Sequence, residues 1–173
     1  MIVRLSARLG KKIKVVPSVV LPADSNPYAD WSAHLFTAAR SQYILISNTT
    51  SLYSMVMLGE GITDDNKFLK RMMNYMGEFM RHDEHKLIFD KLIDPSASTV
   101  SFSKSFNRAV IGSMNDLVFQ SKFYLAERIF LFDVSRKLNE APMSYLDYSN
   151  PREAFMKMAT NIVPFNPPSK HMH

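Results

Sequence analysis

The chain has 173 residues, of which 46% are hydrophobic and 21% charged, and it contains no cysteine. This length and composition are typical of one globular domain, and they exclude a disulfide scaffold, cysteine-ligated metals and thiol chemistry. The net charge is +5, and the whole excess lies in residues 1–16, which carry five cations and no acid. Charges interrupt this segment too often for the apolar region of a signal peptide. No run in the sequence approaches the ~20 apolar residues of a membrane span, and we therefore expect a cytoplasmic protein.

The first third of the chain has the pattern of strands. Residues 2–5 predict a short strand, and Ser6 can cap a helix that continues to about Val15, because its hydroxyl accepts a hydrogen bond from the first turn. Residues 17–30 contain three prolines and predict a loop. Two strands follow, at 31–38 with alternating polarity and at 43–46 with a continuous apolar run; the next segment, 52–58, predicts a third strand or a short helix.

The rest of the chain predicts mostly helices. Thr63 followed by Asp64 and Asp65 favours a helix start, in which the Thr63 hydroxyl is the cap and the two acids oppose the positive helix end. Met72, Met76 and Met80 then recur at helical spacing, as in a core-facing row, with a groove for a partner as the alternative. Further helical spacing is found at about 84–92, 107–127, 133–139 and from Pro151 to before Pro164. Asp94-Pro95-Ser96 predicts a helix stop, and residues 99–103 alternate like a strand.

This order of elements predicts an α+β fold. We expect a single domain over residues 1–163, with a small, mainly antiparallel sheet covered by the helices around 64–81 and 107–127. Residues 164–173 predict a flexible C-terminal tail.

The most polar segment that enters an apolar helix runs from Asn107 to Asp116. Arg108, Gly112 and Asn115 lie three or four residues apart and therefore share a side of the helix. A glycine inside a helix costs ~1 kcal/mol relative to alanine. Its presence at position 112 therefore indicates that a ligand or another backbone approaches the helix closely there. Arg108 can bind a carboxylate or phosphate through two hydrogen bonds. In the alternative interpretation Arg108 pairs with an acid and Gly112 permits tight packing.

The weak candidates for catalysis are His34, Arg108 and Asp116. His34 lies on a predicted strand, where it is either a base or a structural histidine. The candidates for ligand binding are Trp31, Arg108, Ser113 and Asn115. Ser113 lacks the Gly-x-Ser-x-Gly turn of a hydrolase nucleophile, and Trp31 either fills the core or stacks on a ligand.

No cofactor or metal site is predicted. His82-Asp83-Glu84-His85 has its histidines three apart, whereas the zinc helix motif needs them four apart, and we expect a solvated polar corner there. The N-terminal cations give a nucleic-acid hypothesis, with a solvated helix face as its alternative. These cations are Arg4, Arg8, Lys11, Lys12 and Lys14.

Several stretches carry a resemblance to a known family. They are Ile2–Ser6, Asp30-Trp-Ser-Ala-His-Leu-Phe36, Gln42–Tyr53, Asn107-Arg-Ala-Val-Ile-Gly-Ser-Met-Asn-Asp116 and Lys137–Met143. Together they resemble a family of small bacterial proteins of unknown function, over about residues 1–160. The resemblance implies a bacterial, intracellular, single-domain protein and no particular activity.

Three functions remain open at this stage. The first is a non-enzymatic binding or interaction protein, whose sheet edge or Arg108 surface meets another protein or a second copy. The second is an enzyme acting on an anionic small molecule or phosphodiester, in which Arg108 holds the anion and His34 or Asp116 moves a proton. The third is nucleic-acid binding through the basic N-terminus. No membrane partner is expected.

Overall fold

The computed structural model describes residues 1–105 and 107–162, with side-chain surroundings to residue 159. The strands are β1 (Ile2–Leu5), β2 (Asp30–Ala38), β3 (Ser41–Asn48), β4 (Ser54–Leu58) and β5 (Ser101–Lys104). The helices are α1 (Ala7–Ile13), α2 (Asp65–His82), the short α3 (Lys86–Ile88), α4 (Arg108–Ala126), α5 (Leu131–Glu140) and α6 (Pro151–Ile162). The five strands form one sheet in the order β4-β3-β2-β1-β5.

The sheet is mixed, and the predicted α+β class is confirmed. Strands β2, β3 and β4 form an antiparallel meander, whereas β1 is parallel to both of its neighbours, β2 and β5. The parallel pair β1–β2 arises because α1 and the loop after it carry the chain back to the end of the sheet where β1 began. A crossover of this kind makes the next strand parallel to the first.

Alternation along the strands sends side chains into two separate cores. On β2, Trp31, Ala33 and Leu35 lie in the first core, whereas Phe36 and Ala38 lie in the second. Helices α1, α2 and α6 contribute to the first core, and α4 and α5 contribute to the second. The predicted covering helices around 64–81 and 107–127 are therefore both present, on opposite faces of the sheet.

One predicted helix cap is wrong, and one predicted helix stop is present. Asp64, and not the expected Thr63, caps α2, and its carboxylate accepts a hydrogen bond from the Lys67 amide at 2.8 Å. The helix before Asp94-Pro95-Ser96 ends as predicted: a π-helix runs over Phe89–Ile93, and a separate 3₁₀ helix follows at Asp94–Ser98. Proline is compatible with the first turn of a helix because its missing N–H would have no partner there.

The remaining predictions concern membrane-spanning helices, the C-terminal tail, the domain limits and the segment 52–58. Within residues 1–105 and 107–162, no helix is long and apolar enough to cross a membrane. The predicted tail, 164–173, lies outside the described residues, and the limits of the predicted domain stay a prediction. The segment 52–58, which predicted a strand or a short helix, contains the strand β4.

Candidate functional site

A cleft opens at the carboxyl ends of β1 and β5. These strands are adjacent and parallel, with Leu5 opposite Lys104 in the register, so their ends lie side by side. The helices that follow them diverge: α1 buries Leu9 in the first core, and α4 buries Val110 in the second. Open sheets with parallel strands bind ligands at such a point, where the chain leaves neighbouring strands toward opposite faces.

We call this cleft the α1–α4 groove. Its volume is about 650 Å³, within the range of ~300–1,000 Å³ that is usual for small-molecule sites. Most of its lining is apolar, and the larger apolar side chains among the described lining residues are aliphatic: Leu5, Val15, Val16, Pro17, Ile111 and Met114. Part of the wall comes from β2 through Ser32, Ala33 and His34. The groove therefore has the apolar interior of a ligand site.

The end of α1 shapes one side of the groove. Lys14 adopts a left-handed conformation, with φ of 61°, and the Val15 amide then donates to the Gly10 carbonyl at 2.9 Å. A Cβ atom at Gly10 would lie 2.6 Å from the Val15 oxygen, which is closer than atoms can approach. Glycine at this position therefore lets the chain fold back, so that Val15 and Val16 line the groove.

The charged side chains of the groove are all cationic. Lys11 and Lys14 reach it from α1, and Lys104 reaches it from the end of β5. No aspartate or glutamate lies among the described residues that line it. Like charges around an apolar cleft concentrate a positive potential there, since the low-dielectric walls screen them poorly.

His34 is the titratable side chain on the β2 wall. It is half-buried, and burial lowers its pKa below the usual value, with smaller contributions in the same direction from Arg8 and Lys122. The imidazole is therefore neutral at pH 7, and it offers one donor and one acceptor to a ligand. Two hydroxyls beside it already have structural bonds: Ser6 caps α1 at 3.3 Å, and Ser32 bonds Thr49 at 2.9 Å.

The family is established by the sequence from Ile2 to Ala154. This span matches the profile of a family described as a domain of unknown function, DUF6933. The chain belongs to the DUF6933 family. No curated protein matches it. The match confirms the resemblance to an uncharacterised family, and it includes the three strands and two helices that form the α1–α4 groove in this DUF6933 domain.

The predicted ligand and catalytic residues do not converge in the DUF6933 structure. Of these, only His34 is among the described residues that line the groove. Trp31 is fully buried, and its indole N–H donates to the Tyr28 carbonyl at 2.8 Å. Ser113 is half-buried on α4, where its hydroxyl donates to the Ala109 carbonyl at 2.8 Å.

The remaining candidates lie on the outward side of α4. Arg108, Asn115 and Asp116 are exposed, and they share that side of the helix with two exposed aromatic rings. The rings are Phe119, which is 76% exposed, and Phe123, which is 62% exposed. The predicted clustering along the helix is therefore present, but it faces away from the sheet.

The five N-terminal cations point in different directions. Arg4 is 1% exposed, and its guanidinium donates to the Asp30 carboxylate at 2.9 and 2.8 Å. Arg8 bonds the Thr37 hydroxyl at 3.2 Å, and Lys12 bonds the Gln42 side chain at 2.6 Å. The other two, Lys11 and Lys14, line the groove. Arg4 is thus internal and turned away from any external phosphate.

The expectation of a solvated polar corner at residues 82–85 is wrong for two side chains. Asp83 and His85 are 1% and 5% exposed. The Asp83 carboxylate accepts hydrogen bonds from the Tyr53 hydroxyl at 2.5 Å and from Arg152 at 2.8 Å. In the described part of the chain, no group of three or more acidic, histidine or cysteine side chains could hold a metal ion.

Proposed function

We propose that this DUF6933 protein is a binding protein for a small organic anion, which occupies the α1–α4 groove. The observation that carries the proposal is the charge of the lining: three lysines and no acid among its described residues, around an apolar cleft of about 650 Å³. An anion in this cleft would gain the attraction of Lys11, Lys14 and Lys104 and would bury its apolar part.

Binding is favoured over catalysis because the described lining of the groove does not contain all of the predicted catalytic side chains. His34 is placed at the wall, but Arg108 and Asp116 are not among the described lining residues. An enzyme needs its proton-transfer groups within hydrogen-bond reach of one substrate. The catalytic, protein-partner and nucleic-acid hypotheses from the sequence stay predictions, as does the cytoplasmic location.

The proposal is tested with the fluorescent anion 1-anilinonaphthalene-8-sulfonate. We expect saturable binding that weakens roughly twofold to thirtyfold in the variant Lys14→Gln/Lys104→Gln, since each partly exposed charge contributes about 0.2–1 kcal/mol. The matched control is Lys70→Gln/Lys91→Gln, which removes the same charge at exposed positions outside the groove. Equal weakening in both variants would show attraction to net charge only and would contradict the proposal.

A further inference from the structure

The groove offers an anion a particular kind of apolar surface. Every large apolar side chain among its described lining residues is aliphatic, and none is aromatic. Nucleobases and other flat rings gain affinity by stacking on aromatic side chains. Among the described lining residues, a flat ring can stack on the half-buried imidazole of His34 alone, whereas an alkyl chain finds several aliphatic contacts.

Two of these aliphatic side chains are exposed in the chain alone, one almost fully and one by more than a third. Val16 is 87% exposed beyond the end of α1, and Ile111 is 38% exposed on α4. They belong to the same cleft from its two sides, together with the adaptable thioether of Met114. Exposed apolar area of this kind gives a gain in free energy only when something apolar covers it.

We propose that the ligand is a free aliphatic carboxylate, with its head beside the groove lysines and its alkyl chain between Val16 and Ile111. This inference rests on the proposed function, which requires only an anion, and it adds the chemical class of the anion. The charge of the lysines attracts the anionic head, and the aliphatic side chains among the described lining residues contact the alkyl chain. Affinity should therefore depend on the length of the alkyl chain and on the charge of the head group, and each can be changed separately.

The first experiment is a calorimetric titration with hexanoate, octanoate and decanoate below their micelle concentrations. Each additional buried methylene should tighten binding roughly threefold to fourfold. The variant Val16→Ser/Ile111→Ser should flatten this dependence on chain length, because it removes the aliphatic walls without touching a fully buried side chain. Phe119→Ser is the matched control: it removes an exposed apolar side chain outside the groove and should leave the series unchanged.

The second term is the charge. Lys14→Gln/Lys104→Gln should weaken all three acids by the same factor, and decanol, which lacks the charge, should bind the unmodified protein more weakly than decanoate. Decanoate should displace 1-anilinonaphthalene-8-sulfonate at a lower concentration than 2-naphthoate does, and equal or better displacement by 2-naphthoate would contradict a preference for alkyl chains.

The outcomes separate the two proposals. Affinity that needs the groove lysines but ignores chain length would overturn the aliphatic class and leave the anion site standing. If none of the tested anions binds, or if their binding does not depend on those lysines, both proposals are overturned. Binding to phosphatidylglycerol vesicles without binding of monomeric decanoate would overturn the free carboxylate in favour of a lipid surface.

Discussion

At the scale of single residues, the carboxylate of Asp83 is a buried polar group away from the groove. It lies at the end of α2, and its partners come from three other parts of the chain: Tyr53, Arg136 and Arg152. Burial and the neighbouring Asp83 charge raise the pKa of Tyr53 above its usual range, so the tyrosine hydroxyl remains a donor to the carboxylate. Burial also lowers the pKa of the adjacent His85. The carboxylate therefore joins α2, α5, α6 and the β3–β4 turn.

Replacement of this carboxylate should be costly. We expect Asp83→Ala to lower the free energy of unfolding by about 2–4 kcal/mol, because the Tyr53 hydroxyl and the Arg152 guanidinium lose their shared partner. The measurement is urea unfolding at pH 7. Asp90→Ala is the control, since Asp90 forms an exposed ion pair with Lys86, and such pairs contribute about 0–1 kcal/mol. Equal small losses in both variants would show that the Asp83 cluster does not hold the helices together.

The cluster also shows why this part of the molecule could not be predicted from the sequence. The four residues 82–85 contain only polar or titratable side chains, and nothing in their spacing indicates burial. The partners that bury Asp83 are distant along the chain: Tyr53 is 30 residues before it, and Arg152 is 69 residues after it. Local patterns report on helix faces and caps, whereas such a cluster depends on how the elements pack.

At the scale of elements, the sequence predicts what depends on neighbouring residues. The alternation of β2, the Ser6 cap of α1 and the core-facing methionine row of α2 all follow from local periodicity and capping. The parallel pairing of β1 with both neighbours does not follow from local patterns. It depends on the direction in which α1 and the later helices return the chain to the sheet. The groove arises from that pairing, which is why its lysines and aliphatic walls could not be assembled from spacing alone.

Two of the helical glycines, at positions 10 and 112, give a matched test of the α1 turn. Gly10→Ala should destabilise the protein by about 1–3 kcal/mol, because steric conflict with the Val15 carbonyl exceeds the helix-propensity gain of ~1 kcal/mol. Gly112→Ala should instead be neutral or stabilising by up to ~1 kcal/mol, since an added Cβ meets nothing within 4 Å. Thermal and urea unfolding check both values. A stabilised Gly10→Ala variant would contradict the close approach that shapes the groove.

At the scale of the whole molecule, the position of the charge matters more than its total. The +5 excess lies in the first sixteen residues, but the fold separates those five cations. Arg4 is neutralised internally by Asp30, and Lys11 and Lys14 face a cleft that also contains Lys104. Basic residues that predict a phosphate-binding stripe in the sequence thus contribute, in the structure, to a small concave site.

Amide chemical shifts in a ¹H–¹⁵N correlation spectrum, followed during a titration with decanoate, show where on the protein an aliphatic carboxylate binds. We expect saturable changes concentrated at Lys11, Lys14, Lys104 and Ile111, with small changes along the exposed side of α2. A spectrum that does not change, or changes centred on the outward side of α4 around Phe119 and Phe123, would contradict binding in the α1–α4 groove.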